Sequence, residues 1–382
     1  MARRDVAIVG TAQRPNEVGT TLTSVELILP VINEVIAKVG IERREIGFWC
    51  HGSCDYMSGQ PFSFVAAVDA IGAWPPIIES HVEGDGALAL YEAWVKIQTG
   101  ECDVALVFSN GKTTSGPIDR ILNLQADPYM VTPLWPGFDS LAALQARACL
   151  DAGIMSEADM AEVAARSYRD AMNNPVAYAK ENVTAAQLLD RPYTTAPLRA
   201  HDCGVPVDGA NAIIMAAGDV ARRLTERPAW IRGIDHRIDT QRLGARSLIE
   251  SSSAAIAAAT AGVGNDRIDI AELHAPYTHQ EILLRRAMNL GEGTHINPSG
   301  GALVSNPAMA AGLARFAEAA ESVFSGSADR VLAHCTSGPM LQQNLVCVME
   351  GECDGRSLCS SRRRTDEACV VSCRCFHRRP RS

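Results

Sequence analysis

ELHAPYTHQEILLRRAMNL (residues 272–290) and HINPSGGALVSNPAMAAGLARF (residues 295–316) carry the pattern from which the fold is read. The apolar run Ile268–Leu273 reads as a strand that ends by handing two polar side chains, His274 and Tyr277, to a loop. The helical period of His279–Leu290 predicts a helix, Gly300 and Gly301 predict a turn, and a second, small-residue helix is predicted from about Pro307. Side chains and helix N-terminal N–H groups converge at such strand–loop–helix junctions in α/β proteins, so a substrate site is expected here.

Toward the N-terminus the same grammar repeats. DVAIVG (residues 5–10) is an apolar strand closing on glycine, followed by a polar segment and a helix over Glu26–Val39. Ile77–His81 predicts a strand running into Glu83-Gly84-Asp85-Gly86, Ala87–Thr99 a helix stopped by Gly100, and Val104–Ser109 a further strand. That β-turn-α-β unit requires a parallel sheet and a right-handed crossover. No G-x-G-x-x-G follows the first strand, so a dinucleotide site is not supported. Residues 110–200, rich in proline and aromatics, predict a loop region laid over the site, with helices over Leu141–Ala152 and Ser156–Met172. A second cycle then starts at the strand Trp230–Ile234. It continues with a helix over Ser252–Ala261, the decisive stretch itself, a helix over Ala308–Phe324, and strands at Arg330–His334 and Leu345–Met349. Residues 1–225 and 226–350 thus read as two halves on one plan.

With 382 residues, 47% hydrophobic and 21% charged, the chain has the material for one large core or two ordinary ones. A net charge of -9 disfavours nucleic acid as a partner. No run reaches the length of a membrane span, and the start shows no cleavable apolar leader, which reads as cytoplasmic. Seven of the twelve cysteines are scattered through residues 1–350, as reduced buried thiols are, and five crowd into residues 351–382. That last segment carries eight Arg against four Asp/Glu and no apolar period, which predicts a disordered tail with the texture of an altered reading frame. Cys369, Cys373, Cys375 and His377 lack the paired C-x2-C knuckles of zinc modules, and no metal site is assigned.

Glu272-Leu273-His274 with Tyr277, Asn297-Pro298-Ser299-Gly300-Gly301 and Ser305-Asn306-Pro307 resemble, in order and spacing, segments of thiolases of the sterol-carrier-protein or lipid-transfer type. Asn173-Asn174-Pro175, Pro197-Leu198-Arg199, Asp202-Cys203 and Asp208-Gly209-Ala210 recur in the same order in those relatives, so the resemblance spans residues 5–350. It implies a duplicated five-layer α/β/α/β/α thiolase-like fold and a homodimer packed through Val104–Ser109. It implies a coenzyme A thioester of a fatty or steroid acyl group as substrate, with no permanently bound cofactor. It also implies a small OB-fold, zinc-ribbon partner protein.

The reactive positions depart from that family. Where relatives carry the nucleophile of Cys-x-Ser-Gly, counting back from Gly100-Glu101-Cys102-Asp103-Val104 reaches Glu83, either a base in a partly buried turn or an ordinary solvated residue. The histidine of Gly-His-Pro is replaced by Asn306, which orients a carbonyl or caps a helix but takes no proton. His274 matches the family histidine that donates to the thioester oxygen, and is otherwise a buried structural histidine. Tyr277 offers a hydroxyl as acid or donor, and otherwise simply packs. Cys335, before a Gly-rich turn, is an acid/base thiol if its pKa is lowered and an inert buried one if not, with His334 beside it on the opposite face. By the resemblance, Ser299, Gly301 and Gly338 line the coenzyme A end of the substrate. The absent nucleophile points to retro-aldol C–C cleavage or formation on an acyl-CoA. The alternatives are an acetyl-CoA acyltransferase-like enzyme and a non-catalytic acyl-CoA or lipid-binding subunit.

Overall fold

Apolar residues at the start of the chain form β1 (Val6–Gln13), which is buried almost throughout because strands cover both of its edges and helices both of its faces. The computed structural model describes residues 3–59 and 61–352; the Arg- and Cys-rich segment from residue 353 onward lies outside the described residues. After β1 come α1 (Ser24–Val39), β2 (Phe48–Ser53), α2 (Asp55–Ser58), α3 (Phe64–Ile71), β3 (Glu79–Glu83), α4 (Gly86–Thr99) and β4 (Val104–Lys112). The middle of the chain holds α5 (Ile118–Gln125), α6 (Phe138–Asp151), α7 (Glu157–Asp170), α8 (Ala185–Leu189), β5 (Tyr193–Thr195) and β6 (Leu198–Arg199). Next are β7 (Asp208–Ala217), α9 (Gly218–Leu224), β8 (Ala229–Ile238), α10 (Ser252–Ala261), β9 (Ile270–Leu273), α11 (Thr278–Ala287) and β10 (His295–Ile296). The chain closes with α12 (Gly301–Val304), α13 (Ala311–Phe324), β11 (Arg330–Ser337) and β12 (Gln343–Glu350).

The main strands run in the order β10-β9-β11-β12-β8-β1-β7-β4-β2-β3. Numbered within its own half, each set of five follows the order third, second, fourth, fifth, first, with the fifth antiparallel to its neighbours. The duplication that low internal identity conceals is therefore written in the topology. The halves join at β1 and β8 through only Ala7↔Trp230 and Ile8↔Ala229. Between the two sets of strands lie α4 and α13, whose Leu90, Ile97, Leu313 and Phe316 share one apolar core with Ile8, Val107, Val331 and Cys347. On the outer face of one half lie α1 and α3; on the other, α10 and α11. This is the five-layer arrangement that the resemblance implies. Among the described residues no helix is long and apolar enough to cross a membrane.

Three expectations need correcting. Val104–Ser109 lies inside β4, paired to β2 on one side and β7 on the other, so it has no free edge to offer a second copy; the edge strand of this half is β3. The helix predicted from Pro307 starts instead at Ala311, because Met309 is left-handed at φ 68° and interrupts the helical backbone; Asn306 N and Ala308 N are bonded outside it, to Val205 O (2.9 Å) and Thr113 Oγ1 (2.8 Å). The helix predicted to Leu290 ends at Ala287, just before Asn289 turns left-handed at φ 51°.

Candidate active site

α4 begins where it does because Asp85 caps it, its Oδ1 accepting from Ala87 N at 2.9 Å. The same carboxylate accepts from Gly312 N (2.8 Å) and Leu313 N (2.9 Å) in the first turn of α13. One buried side chain thus joins the N-termini of the two central helices, where free N–H groups and both helix dipoles favour negative charge. Burial nonetheless raises its pKa; the three N–H donors and the Cys335 thiol work in the opposite direction. Gly312 is required by this closeness, since a Cβ there would lie 2.3 Å from Cys335 Sγ and 2.5 Å from Asp85 Oδ1. Asp85→Ala leaves three buried N–H groups without an acceptor. It is expected to destabilise the fold by about 3 kcal/mol or more, read as a drop in the urea midpoint; an unchanged midpoint would show that the cap is dispensable.

His274 follows the end of β9, its backbone N bonded to His334 O of β11. Its Nδ1 accepts from Thr336 N at 3.4 Å and lies 3.7 Å from Cys335 Sγ. An Nδ1 that accepts leaves the ring proton on Nε2, which is then the ring's donor. Burial, with Arg315 nearby, pushes the imidazole down to about 4, and the Asn306 side chain offsets this in part. The ring is therefore neutral at physiological pH. Cys335 is driven the other way from the activated thiol considered above: burial, then the charge of Asp85, holds it well above its ordinary value. It remains a thiol and donates toward Asp85. Ligand-type atoms of Asp85, His274 and Cys335 all lie within 4.8 Å of one another. With the carboxylate already accepting three backbone N–H bonds, this is better described as a hydrogen-bonded chain of proton carriers than as a metal's donor set.

The motif residues around this centre are largely its frame. Buried Glu272 accepts from Ser299 N (3.0 Å), Ser299 Oγ (2.7 Å) and Arg315 Nη1 (2.7 Å), tying β9, the NPSGG loop and α13 together. Asn297, left-handed at φ 49°, accepts from Leu273 N at 2.6 Å and donates to buried Glu281 at 2.9 Å, which in turn holds Arg166 of α7. The segment Asp202–Val205 threads between them: Gly204 N bonds Pro276 O, and a Cβ on Gly204 would meet Ala302 O at 2.7 Å. Ser299 is thus committed to the frame, Gly301 opens α12, and Gly338 sits in a left-handed turn against Gln342.

The structure brings His274, Cys335 and Asn306 together and adds Asp85, which the sequence reading passed over as a turn residue. Asn306 caps neither α12 nor α13. Glu83 is not in the group. It is the exposed last residue of β3, and its carboxylate accepts from Asp55 N (2.9 and 3.2 Å) at the start of α2. Tyr277 is buried and its hydroxyl donates to Asp139 Oδ1 of α6 at 2.8 Å, holding its pKa well above the usual value, chiefly by burial. Three residues separate Tyr277 from His274, so their Cα atoms are no more than about 11 Å apart. His334 points to the opposite face of β11, bonded to Asn344 at 2.9 Å, as strand alternation predicts.

No protein-family model matches the chain. The acetyl-CoA acetyltransferase of Methanothermobacter thermautotrophicus is 25% identical over 346 residues, covering 82% of this chain and 90% of the relative. The benzoylsuccinyl-CoA thiolase subunit BbsB of Thauera aromatica is 26% identical over 182 residues, covering 42% of this chain and 47% of that one. Among solved structures, human mitochondrial 3-ketoacyl-CoA thiolase superposes with a TM-score of 0.75 at 14% identity, covering 91% of this chain and 99% of that chain. A structure described as Ltp2-ChsH2(DUF35) aldolase superposes with a TM-score of 0.76 at 18% identity, covering 93% and 99%.

Proposed function

We propose that the chain is an enzyme of the thiolase superfamily, which its relatives and its fold support, and that it cleaves or forms a C–C bond of an acyl-CoA by a retro-aldol route, without an acyl-enzyme. The observation that carries this reading is the state of the sulfur. The turn before α4 reads Glu83-Gly84-Asp85-Gly86 and holds no cysteine, and the thiol beside His274 is buried and kept protonated. A thiol in that state holds its proton and is no nucleophile; it gives the proton up only to a much stronger base, such as the α-carbon of an enolate.

In the cleavage direction the substrate is a β-hydroxyacyl-CoA of a fatty or steroid side chain. Its hydroxyl proton passes to the Tyr277 oxygen as the Tyr277 proton moves to Asp139. The O–H electrons form the new C=O, and the Cα–Cβ bond breaks toward the thioester. His274 Nε2–H and the Asn306 amide hold the enolate oxygen. The Cys335 thiol, backed by Asp85, returns a proton to Cα, and both carriers reset against water. The products are an aldehyde or ketone and a shortened acyl-CoA. Incubation with a series of β-hydroxyacyl-CoA esters is expected to yield both, with no free coenzyme A consumed. Tight binding without turnover would instead favour the acyl-CoA-binding subunit.

Glu83→Gln is expected to leave the turnover rate within a factor of about two, measured on the same esters, since its carboxylate serves Asp55; a large loss would restore it to the site. We place the homodimer contact on the edge strand β3, flanked by exposed Phe62, Trp74 and Ile78. A small partner protein remains part of the proposal, since one relative is named a subunit and one neighbour carries two names.

A further inference from the structure

A groove of about 740 Å³ lies between α7 and α11, within the size range of small-molecule sites, and the mechanism above makes no use of it. Four arginines line it: Arg166 and Arg169 from α7, Arg285 and Arg286 from α11. In a chain of net charge -9 this is a concentration of positive charge that calls for an explanation. Arg166 is spoken for, since its guanidinium is bonded to both oxygens of buried Glu281. Arg169 reaches its neighbour Asp170 only at 3.6 Å, and Arg285 and Arg286 have no ion-pair partner among the described residues. Both stand in the last turn of α11, where a cation is favoured by the helix dipole, yet both also face the groove.

Part of the floor is apolar. Val163 and Ile282 form part of it, and Arg166–Glu281–Asn297 anchors it to the backbone of Leu273. Asp159 and Glu162 stand at the side as acceptors for hydroxyl or amino groups. Guanidinium groups for phosphate, an apolar wall for a ring and carboxylates for hydroxyls are together the recognition set of a nucleoside phosphate.

We propose that the α7–α11 groove binds a phosphate-bearing small molecule of nucleotide size through Arg169, Arg285 and Arg286. The site shares no residue with the Asp85–His274–Cys335 group and does not depend on the acyl-CoA reading. The test is calorimetric titration of the full-length protein with ADP, with adenosine in parallel. ADP is expected to bind and adenosine not. Arg285→Ser/Arg286→Ser, and separately Arg169→Ser, are expected to weaken ADP by about tenfold or more, as is raised salt, without altering the thermal midpoint. Absence of ADP binding to the wild type, equal binding of adenosine, or binding unchanged in both variants would overturn the assignment.

Discussion

His274→Ala is expected to lower kcat on a β-hydroxyacyl-CoA by about 10²–10³-fold, the usual consequence of deleting one donor to a developing oxyanion. The effect should fall on kcat more than on KM, because the Nε2–H bond gains strength as charge accumulates on the thioester oxygen. Burial is what makes the loss large. With its pKa pushed down to about 4, the ring is a neutral donor across the working range, in surroundings that strengthen every charge interaction. His274→Gln, which retains an N–H donor, should recover part of the rate. A His274→Ala rate within a factor of about two of the wild type would remove the imidazole from the chemistry.

Acid should unfold this protein readily. His51, His279 and His334 are buried with pKa values pushed down to about 3, and His274 to about 4, all chiefly by burial. Unfolded, each would take a proton near its ordinary value of 6.5. The sign follows: above 6.5 both states are neutral and stability is full. Below it the unfolded chain binds protons that the folded one refuses, so stability falls as pH drops from 6.5 toward 4. Each ring contributes about 1.4 kcal/mol per pH unit in that window, against a total of roughly 5–15 kcal/mol for a folded domain. Asp85 and Glu272, whose pKa values burial raises, act in the opposite sense, since the folded state then binds their protons first. Four rings outweigh two carboxyls. The urea midpoint measured at pH 7.5 and pH 5 should fall by several kcal/mol equivalent; an equal midpoint would contradict the burial of these rings as neutral groups.

Much of the architecture was legible because both halves write their strands as apolar runs and their helices with the right period. Ser252–Ala261 was bounded correctly by its small residues and Gly262. The ELH and NPSGG motifs were legible as a group, and the structure supplies the cause: Glu272, Ser299 and Arg315 are bonded to one another. Asp85 was not legible, because what distinguishes it from any helix cap is the pair of N–H groups of Gly312 and Leu313, more than two hundred residues away in the chain. Counting along the helix reached the right tetrapeptide and selected Glu83, the member at the end of an edge strand, while the buried member lay two residues on. The direction of the Cys335 shift was equally hidden, since a thiol's pKa depends on burial and on which charge faces it across the fold.

The most direct test is the intact mass of the protein during turnover of a β-hydroxyacyl-CoA. If the C–C bond breaks without a covalent acyl group, the mass stays that of the free chain while substrate disappears. A species heavier by one acyl group, formed at a rate that matches turnover and abolished by alkylation, would contradict the account and make the protein a cysteine-dependent thiolase.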